Sequence, residues 1–366
     1  MKVIDIYTEE ITIPLKKPFK TSVRTAHDLN SILVKVQTDE GEVGFGEAAP
    51  NPLVTGETKE SIISAIQNFI KPKIINSDVN NLEEIMNKLH NSILNNNSAK
   101  AAVDIAIYDL YSKSLKIPLY KSIGGYSSNI ETDITISVNH IDEMVSDSIE
   151  AVENGYGTLK IKLGLNFNED IDRVMEIRKA VGNNVNLRID SNQGWSPKEA
   201  VKVIREFEKK DLRIELIEQP VNYQNINGMA YVKDNVHTPI MADESVFSPR
   251  DAIEVIQRNA ADLINIKLMK TGGIYRALQL CSIAESLGIQ CMVGCMMESK
   301  IGISAASHLG AAKRNITKVD LDAHNLCATD PFVGGPIFNK NNIHMTNEHG
   351  IGFNDINNAL FLHGEQ

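Results

Sequence analysis

The middle of the chain alternates between two hydrophobic periods. From Glu131 onward, runs with the two-residue period of a strand alternate with stretches whose apolar residues recur every three or four positions. The predicted strands are Thr132–Val138, Leu159–Leu163, Val185–Asp190, Ile214–Glu218, Pro239–Asp243, Leu263–Lys267, Gln290–Cys295 and Lys318–Asp322. Helical stretches separate them, which favours an α/β fold with a TIM-like (β/α)7-8 parallel barrel. An open doubly wound sheet is the alternative, although no glycine-rich phosphate turn follows the first strand.

The two ends of the chain follow other patterns. Near the N-terminus, strand-like alternation over Val3 to Leu15 and Ser31 to Gly46 precedes two helical stretches. The last part of the chain is rich in glycine and asparagine and predicts only short strands. The predicted divisions are an α+β capping domain over 1–125, a catalytic barrel over 126–325, and a segment over 326–366 that packs back on the capping domain and completes it.

Composition narrows the class of protein. The 366 residues carry a formal charge of −10 and include no dense Lys/Arg stripe, so we expect no nucleic-acid partner. No apolar run reaches the length of a membrane span, and residues 1–16 lack the apolar run of a signal peptide. Four cysteines without a CxxC pair are typical of reduced thiols. We therefore expect a cytoplasmic protein with no membrane partner.

Ionisable residues recur near the ends of successive predicted strands. Two lysines separated by one residue come first, and single residues follow at intervals of 28, 28, 25 and 24 positions. The series is Lys160, Lys162, Asp190, Glu218, Asp243 and Lys267. A single strand-end charge is more often solvated or locally ion-paired. Here, however, ionisable residues recur at the same position of successive strand–helix units. Because the C-terminal ends of barrel strands converge, this recurrence predicts that they share one site.

The three acids of this series predict a metal site. Asp190, Glu218 and Asp243 offer only oxygen ligands, which suit Mg²⁺ best and leave Mn²⁺ as the second candidate. Zinc is disfavoured because neither HxH nor HExxH occurs. Three carboxylates leave a divalent ion able to take an anionic substrate group as well.

The lysines of the series predict proton transfer. An ordinary lysine has a pKa of about 10.4 and is a poor base at neutral pH. We expect the ammonium of Lys160, together with the metal, to lower the pKa of Lys162. The implied reaction is removal of a proton next to a carboxylate, with Lys160 stabilising the resulting ene-diolate.

These residues stand in segments that resemble the enolase superfamily, and nearly the whole chain fits the muconate-lactonizing subgroup. The matching segments are Leu159–Leu163, Ile189–Trp195, Ile217–Pro220, Met241–Ser245 and Ile266–Gly273. The resemblance implies Mg²⁺ on Asp190, Glu218 and Asp243, with Lys162 and Lys267 on opposite faces of the substrate. Lysine at 267 argues against the mandelate-racemase branch, which uses an acid at that strand. The family pattern also implies supporting roles for Asn192, Glu244 and Glu298.

Asp320 and Asp322 resemble the paired acids with which dipeptide epimerases hold the substrate's α-ammonium group. Two carboxylates facing one cavity need a cationic partner to offset their burial. An internal Lys or Arg is the other candidate for that partner.

Further matches resemble the epimerases of the L-Ala-D/L-Glu type. Arg24 lies in Lys17–His27, which corresponds to a mobile capping loop in that type, and an arginine suits a glutamate carboxylate. A solvated loop arginine is the alternative. Thr135 and Cys295 fall at substrate-lining positions, although Cys295 replaces the expected small hydroxyl residue.

The predicted function is Mg²⁺-dependent epimerisation of a dipeptide at the α-carbon of its C-terminal residue, within murein peptide metabolism. Within the same subgroup, o-succinylbenzoate synthase, N-succinylamino acid racemase or cycloisomerase activity remains open. A Schiff-base lysine aldolase and a non-catalytic binding barrel are more distant alternatives. The resemblance also implies a homo-oligomer.

Overall fold

The computed structural model describes residues 1–21, 25–354 and 356. The strands are β1 (Val3–Lys20), β2 (Thr25–Thr38), β3 (Val43–Ala48), β4 (Asn129–Glu131), β5 (Ile134–Ile136), β6 (Thr158–Lys162), β7 (Asn186–Asp190), β8 (Ile214–Glu218), β9 (Ile240–Ala242), β10 (Leu263–Lys267), β11 (Gln290–Gly294), β12 (Ile316–Asp320), β13 (Ile337–Asn339) and β14 (Asn342–His344).

The α-helices are α1 (Lys59–Ser64), α2 (Lys71–Ile74), α3 (Leu82–His90), α4 (Asn97–Ser114), α5 (Leu119–Ser122), α6 (Ile141–Glu153), α7 (Phe167–Val181), α8 (Pro197–Lys209), α9 (Ile226–Asp234), α10 (Pro249–Gln257), α11 (Leu268–Thr271), α12 (Ile274–Ser286) and α13 (Lys300–Ala312). A π-helical stretch, Ala65–Ile70, joins α1 to α2, and a 3-10 turn, Ala323–Leu326, follows β12. Among the described residues, none of the helices combines the length and apolarity that crossing a membrane requires.

The predicted parallel barrel is confirmed. Strands β5 to β12 form one eight-stranded sheet in chain order, and neighbouring strands pair in parallel. The sheet curls until its first and last strands, β5 and β12, approach each other along a seam. Five strands, β5, β6, β9, β11 and β12, end one or two positions earlier than predicted. In three of them this leaves a predicted site residue just past the strand end: Asp243 after β9, Cys295 after β11 and Asp322 after β12.

A separate antiparallel sheet, β1-β2-β3, covers the mouth of the barrel. The β1–β2 hairpin is longer than the alternation predicts, since Phe19 still pairs with Ala26 and Lys20 with Thr25. The segment Lys17–His27, expected to be a loop, therefore has strands on both flanks. Cross-strand pairing gives these flanks a fixed position over the site, because each hydrogen bond restricts the backbone.

The C-terminal part of the chain packs beside α4 and α5. Leu119 N donates to Gly350 O at 2.7 Å, and Gly350 N donates to Ile117 O at 3.0 Å. Ile351 N donates to the buried carboxylate of Asp109 at 2.8 Å. Gly350 has φ +66, and a Cβ there would collide with Asp109 Oδ1, so only glycine fits this crossing.

The barrel interior is filled differently on its two sides. Below the mouth, a separate apolar cluster from β8 to β11 forms what we call the apolar plug; it consists of Leu216, Met241, Leu263 and Met292. The outward faces of the strands join the main core with the helices, as alternation requires. The side of the interior next to β5 and β12 instead contains charged residues.

Candidate active site

Most of the predicted site residues converge on one cavity at the barrel mouth. Those that line it are Lys160, Lys162, Lys267, Thr135, Cys295, Asp320, Asp322, Asn192 and Glu244. The capping sheet and its following loop add Phe19, Thr21, Asn51 and Val54. Arg24 lies outside the described residues. Glu298 is buried behind the loop that supplies Met296 and Met297.

Strand order divides the mouth into two arcs. The acidic arc is β7, β8 and β9, whose ends carry Asp190, Glu218 and Asp243; the seam arc is β11, β12 and β5. The two lysine strands, β6 and β10, stand between the arcs. Because they are four positions apart in a ring of eight strands, Lys162 and Lys267 enter the mouth from opposite sides.

Every carboxylate of the acidic arc is held by a lysine. Lys162 Nζ lies 2.5 Å from Asp190 Oδ2, and Lys160 Nζ lies 2.6 Å from Glu218 Oε2. Asp243 is held on both oxygens, with Lys267 Nζ 2.7 Å from Oδ2 and a further lysine on Oδ1. All three carboxylates are buried, so these ammonium groups supply the charge that compensates them.

The ion pairs determine the protonation states of Asp243, Lys160 and Lys267. Burial favours the neutral form of Asp243, but Lys267 and Lys270 outweigh it and hold its pKa below the usual range. Burial likewise opposes the charged form of Lys160, yet nearby carboxylates, Asp320 first, raise its pKa well above the ordinary value. Asp243 raises the pKa of Lys267 in the same way. Lys160 and Lys267 are therefore cations.

Two further carboxyl groups titrate near neutrality. Burial, reinforced by Asp190, raises the pKa of Glu218 to about 7 despite its contact with Lys160. Burial and the adjacent Asp243 raise the pKa of Glu244 to about 7 as well. The acidic arc thus contains more carboxyl groups than its lysines can keep charged at once.

This excess of buried oxygens fits a divalent cation. Three carboxylate oxygens are buried and accept no hydrogen bond of good geometry from the part of the chain that the structure describes: Glu218 Oε2, Asp243 Oδ1 and Glu244 Oε2. All are hard oxygen donors, the chemistry that Mg²⁺ prefers. Among the described residues, no three acidic, imidazole or thiol groups already form a coordination cluster, since the ammonium groups separate the carboxylates.

Backbone strain marks two positions beside the acids. Asn192 and Gln219 have φ of 42 and 37, an uncommon region for residues other than glycine. The turn lets Asn192 N donate to Asp190 Oδ1 at 2.8 Å. Gln219 Oε1 accepts from Asp243 N at 2.9 Å. Asn192 therefore orients the carboxylate of Asp190, and Gln219 fixes the backbone from which Asp243 extends.

Sequence reasoning missed Gln219 and Lys270. Lys270 is fully buried and places Nζ 2.6 Å from Asp243 Oδ1 and 3.0 Å from Asn265 O. Both residues stand inside the quoted matching segments, so the motif contained them. Their roles depend on the turns after β8 and β10, which strand alternation does not predict.

The seam arc holds its two acids differently. Asp320 Oδ2 lies 2.7 Å from Lys160 Nζ, so an internal lysine does pair with one member. Asp322 Oδ2 instead accepts from Thr135 N at 2.6 Å, and no ion pair to Asp322 exists within the described part of the chain. Burial opposes ionisation of both, but Lys160 lowers the pKa of Asp320 to about 2. Burial and Asp320 raise the pKa of Asp322 to about 6.

Cys295 and Glu298 are neutral groups of the same region. Burial, reinforced by Asp320 and Asp322, raises the pKa of the Cys295 thiol well above its ordinary value. Burial and Glu47 raise the pKa of Glu298 to about 8, while its Oε1 accepts from Met296 N at 2.7 Å. Cys295 thus lines the cavity as a small uncharged side chain, and Glu298 supports the loop beside it.

Comparison with known proteins gives consistent matches along the chain. Residues 3–124 match the N-terminal domain of the mandelate racemase/muconate lactonizing enzyme family, and residues 143–356 match the enolase C-terminal domain-like family. The L-Ala-D/L-Glu epimerase of Clostridium acetobutylicum is 55% identical over 98% of this chain and 100% of that protein.

Two solved structures share the fold over almost their whole length. A substrate-liganded complex of the L-Ala-D/L-Glu epimerase from Bacillus subtilis is 47% identical, with a TM-score of 0.96 over 96% of this chain and 99% of the other. A dipeptide epimerase from Enterococcus faecalis complexed with Mg and L-Leu-L-Tyr is 41% identical, with a TM-score of 0.94 over 97% and 100%. The chain therefore belongs to the mandelate racemase/muconate lactonizing enzyme family of the enolase superfamily.

Proposed function

We propose that the chain is a Mg²⁺-dependent dipeptide epimerase that inverts the α-carbon of the C-terminal residue in L-Ala-D/L-Glu or a close relative. The observation that carries the proposal is the arrangement of the mouth. Three carboxylates occupy the strands between two opposed lysines, and a second pair of carboxylates faces them from the seam arc. The names of the related proteins support the same substrate class.

The two lysines are the proton carriers. Lys162 and Lys267 enter from opposite sides, so one removes the α-proton and the other delivers a proton to the opposite face. Lys160 stands between the arcs, touching Glu218 and Asp320, where its ammonium can stabilise the charge that develops on an ene-diolate. Inversion of the α-carbon requires a proton carrier on each face of the substrate, whereas elimination requires a single base.

Asp190, Glu218 and Asp243 would hold the metal, with Asn192 and Glu244 supporting them. When bound, Mg²⁺ supplies positive charge that stabilises the substrate carboxylate and lowers the pKa of the flanking lysines. Mn²⁺ is the second candidate, because it accepts the same oxygen donors.

Asp320 and Asp322 would bind the α-ammonium group of the dipeptide. Asp322 suits this role because its carboxylate is buried in the cavity wall, receives one backbone N–H and has no ion pair among the described residues. Thr135 and Cys295 line the same side of the cavity. Arg24 is proposed to bind the glutamate side-chain carboxylate.

The remaining expectations belong to the same proposal. The enzyme would act in the cytoplasm on peptides from murein turnover, as a homo-oligomer, without nucleic-acid or membrane partners. The division at 125/126 and 325/326 is proposed as the boundary between capping domain, barrel and C-terminal segment.

A dipeptide library in D₂O tests the function. Enzyme and Mg²⁺ are incubated with the library, and mass spectrometry identifies each peptide that gains one dalton at its C-terminal residue. We expect L-Ala-L-Glu among the fastest and no gain after chelation of the metal. A folded, Mg²⁺-loaded protein that exchanges no dipeptide contradicts the proposal.

The rival activities give different results in the same assay. An N-succinylamino acid racemase exchanges acylated amino acids and leaves dipeptides unlabelled. A Schiff-base aldolase is inactivated by borohydride in the presence of substrate and does not require Mg²⁺. A non-catalytic barrel binds dipeptide without exchange.

A further inference from the structure

The seam of the barrel is closed mainly by side chains. Within the described residues, a single direct backbone hydrogen bond links the β5 segment to β12; it runs from the N–H of Asp133, directly before β5, to Val319 O at 3.3 Å. A second link runs from Thr135 N to the carboxylate of Asp322. A short ladder leaves the relative position of the two strands weakly specified. Leu321 N also donates to Thr132 Oγ1 at 2.8 Å, so the position of Asp320 and Asp322 depends largely on side-chain contacts across the seam.

Four charged residues cross the interior below these acids, and we call them the ionic belt: Asp133, Arg188, Glu215 and Lys318. Arg188 Nη1 lies 2.7 Å from Asp133 Oδ2, and its Nε lies 2.6 Å from Glu215 Oε2. Lys318 Nζ reaches Glu215 Oε1 at 2.9 Å. The belt thereby joins the start of β5 to β7, β8 and β12.

Arg188 touches both strands of the seam. The same Nη1 that binds Asp133, directly before β5, also donates to Val319 O on β12 at 3.1 Å. Val319 directly precedes Asp320. A planar guanidinium offers its donors in a fixed geometry, so it sets the distance between the two strands more firmly than a lysine would.

The sequence builds the belt through strand alternation and one irregularity. Arg188 stands two positions before Asp190 and therefore points inward, as Lys318 does two positions before Asp320. The β7–β8 pairing shifts register between Leu187 and Arg188, which leaves Glu215 as an extra residue. Such a bulge redirects a side chain, here toward Arg188 and Lys318.

The need to fill the barrel interior does not explain why the ionic belt is charged. On the other side of the barrel, the apolar plug occupies the same depth with uncharged side chains. Buried ion pairs add little net stability relative to apolar residues of similar volume. In addition, Asp133 Oδ1 is buried and has no hydrogen-bond partner among the described residues, which is unfavourable. A positional role accounts for charges that stability alone does not favour.

We infer that Arg188 is a positioning residue which, through the ionic belt, holds β12 against β5 and so fixes Asp320 and Asp322 for the α-ammonium group of the substrate. This role rests on the proposed function. It predicts that loss of Arg188 harms recognition of the ammonium group and leaves the metal and the lysines intact.

The test compares two ligands that differ only in the ammonium group. L-Ala-L-Glu and N-propionyl-L-glutamate, its desamino analogue, are titrated by calorimetry into Mg²⁺-loaded wild type and into Arg188→Met. We expect wild type to prefer the dipeptide and the variant to lose at least about tenfold of that preference, because a displaced charge partner weakens an ion pair. KM for L-Ala-L-Glu rises accordingly, with kcat within about threefold.

Arg173→Met is the matched control. Arg173 is as buried as Arg188, with side-chain exposures of 7% and 9%, and it also holds two carboxylates, Glu169 and Asp170. It lies on α7 outside the barrel interior, so its loss lowers stability without changing ligand preference. Asp133→Asn keeps volume and hydrogen bonding, and should reproduce the Arg188→Met change at smaller size.

The outcomes separate this inference from the proposed function. No preference for the dipeptide in wild type contradicts the function itself. A wild-type preference that survives in Arg188→Met, or in soluble Asp133→Asn should the arginine variant not fold, overturns the positioning role. Equal loss of both ligands also overturns it. If Arg188→Met also lowered Mg²⁺ affinity, the loss of dipeptide preference would be assigned to Asp190, two positions further along β7. If Arg173→Met lost as much preference as Arg188→Met, the loss would be assigned to general destabilisation.

Discussion

The two arcs of the barrel mouth both carry buried carboxylates, but those carboxylates have different cationic partners. The acidic arc has one carboxylate on each of three strands, and each of them is held by a lysine. The seam arc has two carboxylates on one connection, and within the described part of the chain Asp320 has a lysine partner whereas Asp322 has none. The number of cations nearby therefore distinguishes carboxylates suited to a divalent ion from carboxylates suited to an ammonium group.

The lysines between the arcs should give the largest effect. Lys267→Met or Lys162→Met removes one of two opposed proton carriers, so epimerisation should fall by about 10³-fold or more. Each variant should still exchange the α-proton of one epimer with D₂O, because the remaining lysine can return a deuteron to its own face. NMR of both epimers measures this and identifies which lysine serves which configuration.

Lys113→Met is the control for those variants. Lys113 is similarly buried and paired, at 2.8 Å from Asp109, but it lies on α4 in the N-terminal region. We expect kcat within about threefold of wild type. An equal loss in Lys113→Met, or full epimerisation in either active-site variant, would rule out the two-lysine assignment.

Exchanging one acid in each arc should separate their functions. Asp243→Asn should weaken Mg²⁺ about 100-fold, since it removes a charged oxygen ligand. Asp322→Asn should leave Mg²⁺ affinity within about threefold and raise KM for L-Ala-L-Glu by about tenfold or more. Calorimetry with Mg²⁺ and steady-state kinetics provide the two readouts. A similar loss of Mg²⁺ affinity in both variants would mean that the arcs are one site.

Arg24→Ala tests whether the enzyme recognises the glutamate side chain of the substrate. An arginine that binds the glutamate carboxylate should matter for L-Ala-L-Glu and little for L-Ala-L-Ala. We expect kcat/KM to fall about 100-fold for the first and less than about threefold for the second. Equal losses for both dipeptides would exclude a role in glutamate recognition.

The smallest effects concern stability within the seam arc. The pKa of Asp322 is raised to about 6, so as pH rises from about 4 to about 6 the unfolded state releases this proton first and stability falls. Asp322→Asn should therefore stabilise the protein above pH 6, by up to roughly 3 kcal/mol.

Asp320 should behave in the opposite sense. Its pKa is lowered to about 2, so it contributes stability above the unfolded value near 3.8, and that contribution is lost as pH falls toward 2. Asp320→Asn should destabilise the protein at pH 7 by roughly 2 kcal/mol. Urea unfolding at pH 5 and pH 8 measures both variants. Changes of the same sign would show that the two acids share one environment.

Sequence periodicity predicted the barrel well because its signal is local. Alternation within each strand places Lys160 and Lys162 on the inner face, and repeat spacing brings the acids to one mouth. The turns were less predictable: the strained backbone at Gln219 and the return of Lys270 toward Asp243 depend on contacts between distant segments. The ionic belt was missed for the same reason, since its members are far apart in sequence and one of them lies on a bulge.

The direction of the lysine pKa values also depends on tertiary contacts. The sequence predicts that the adjacent lysine and the metal lower the pKa of Lys162. For the other two lysines of the mouth, Lys160 and Lys267, the surrounding carboxylates outweigh burial and raise the pKa. A lowered pKa of the catalytic lysines in the Mg²⁺-loaded enzyme stays a prediction. Sequence shows which charges are present, but their distances decide which interaction dominates.

The most direct test of two opposed lysines is the isotope content of the first product. L-Ala-L-Glu with protium at the glutamate α-carbon is incubated with enzyme and Mg²⁺ in D₂O, and L-Ala-D-Glu formed in the first few per cent of conversion is separated and analysed by mass spectrometry. We predict that this product is deuterated from the earliest time point, because the delivering lysine has exchanged with solvent. An early product that retains protium would indicate transfer by a single base and would contradict the account.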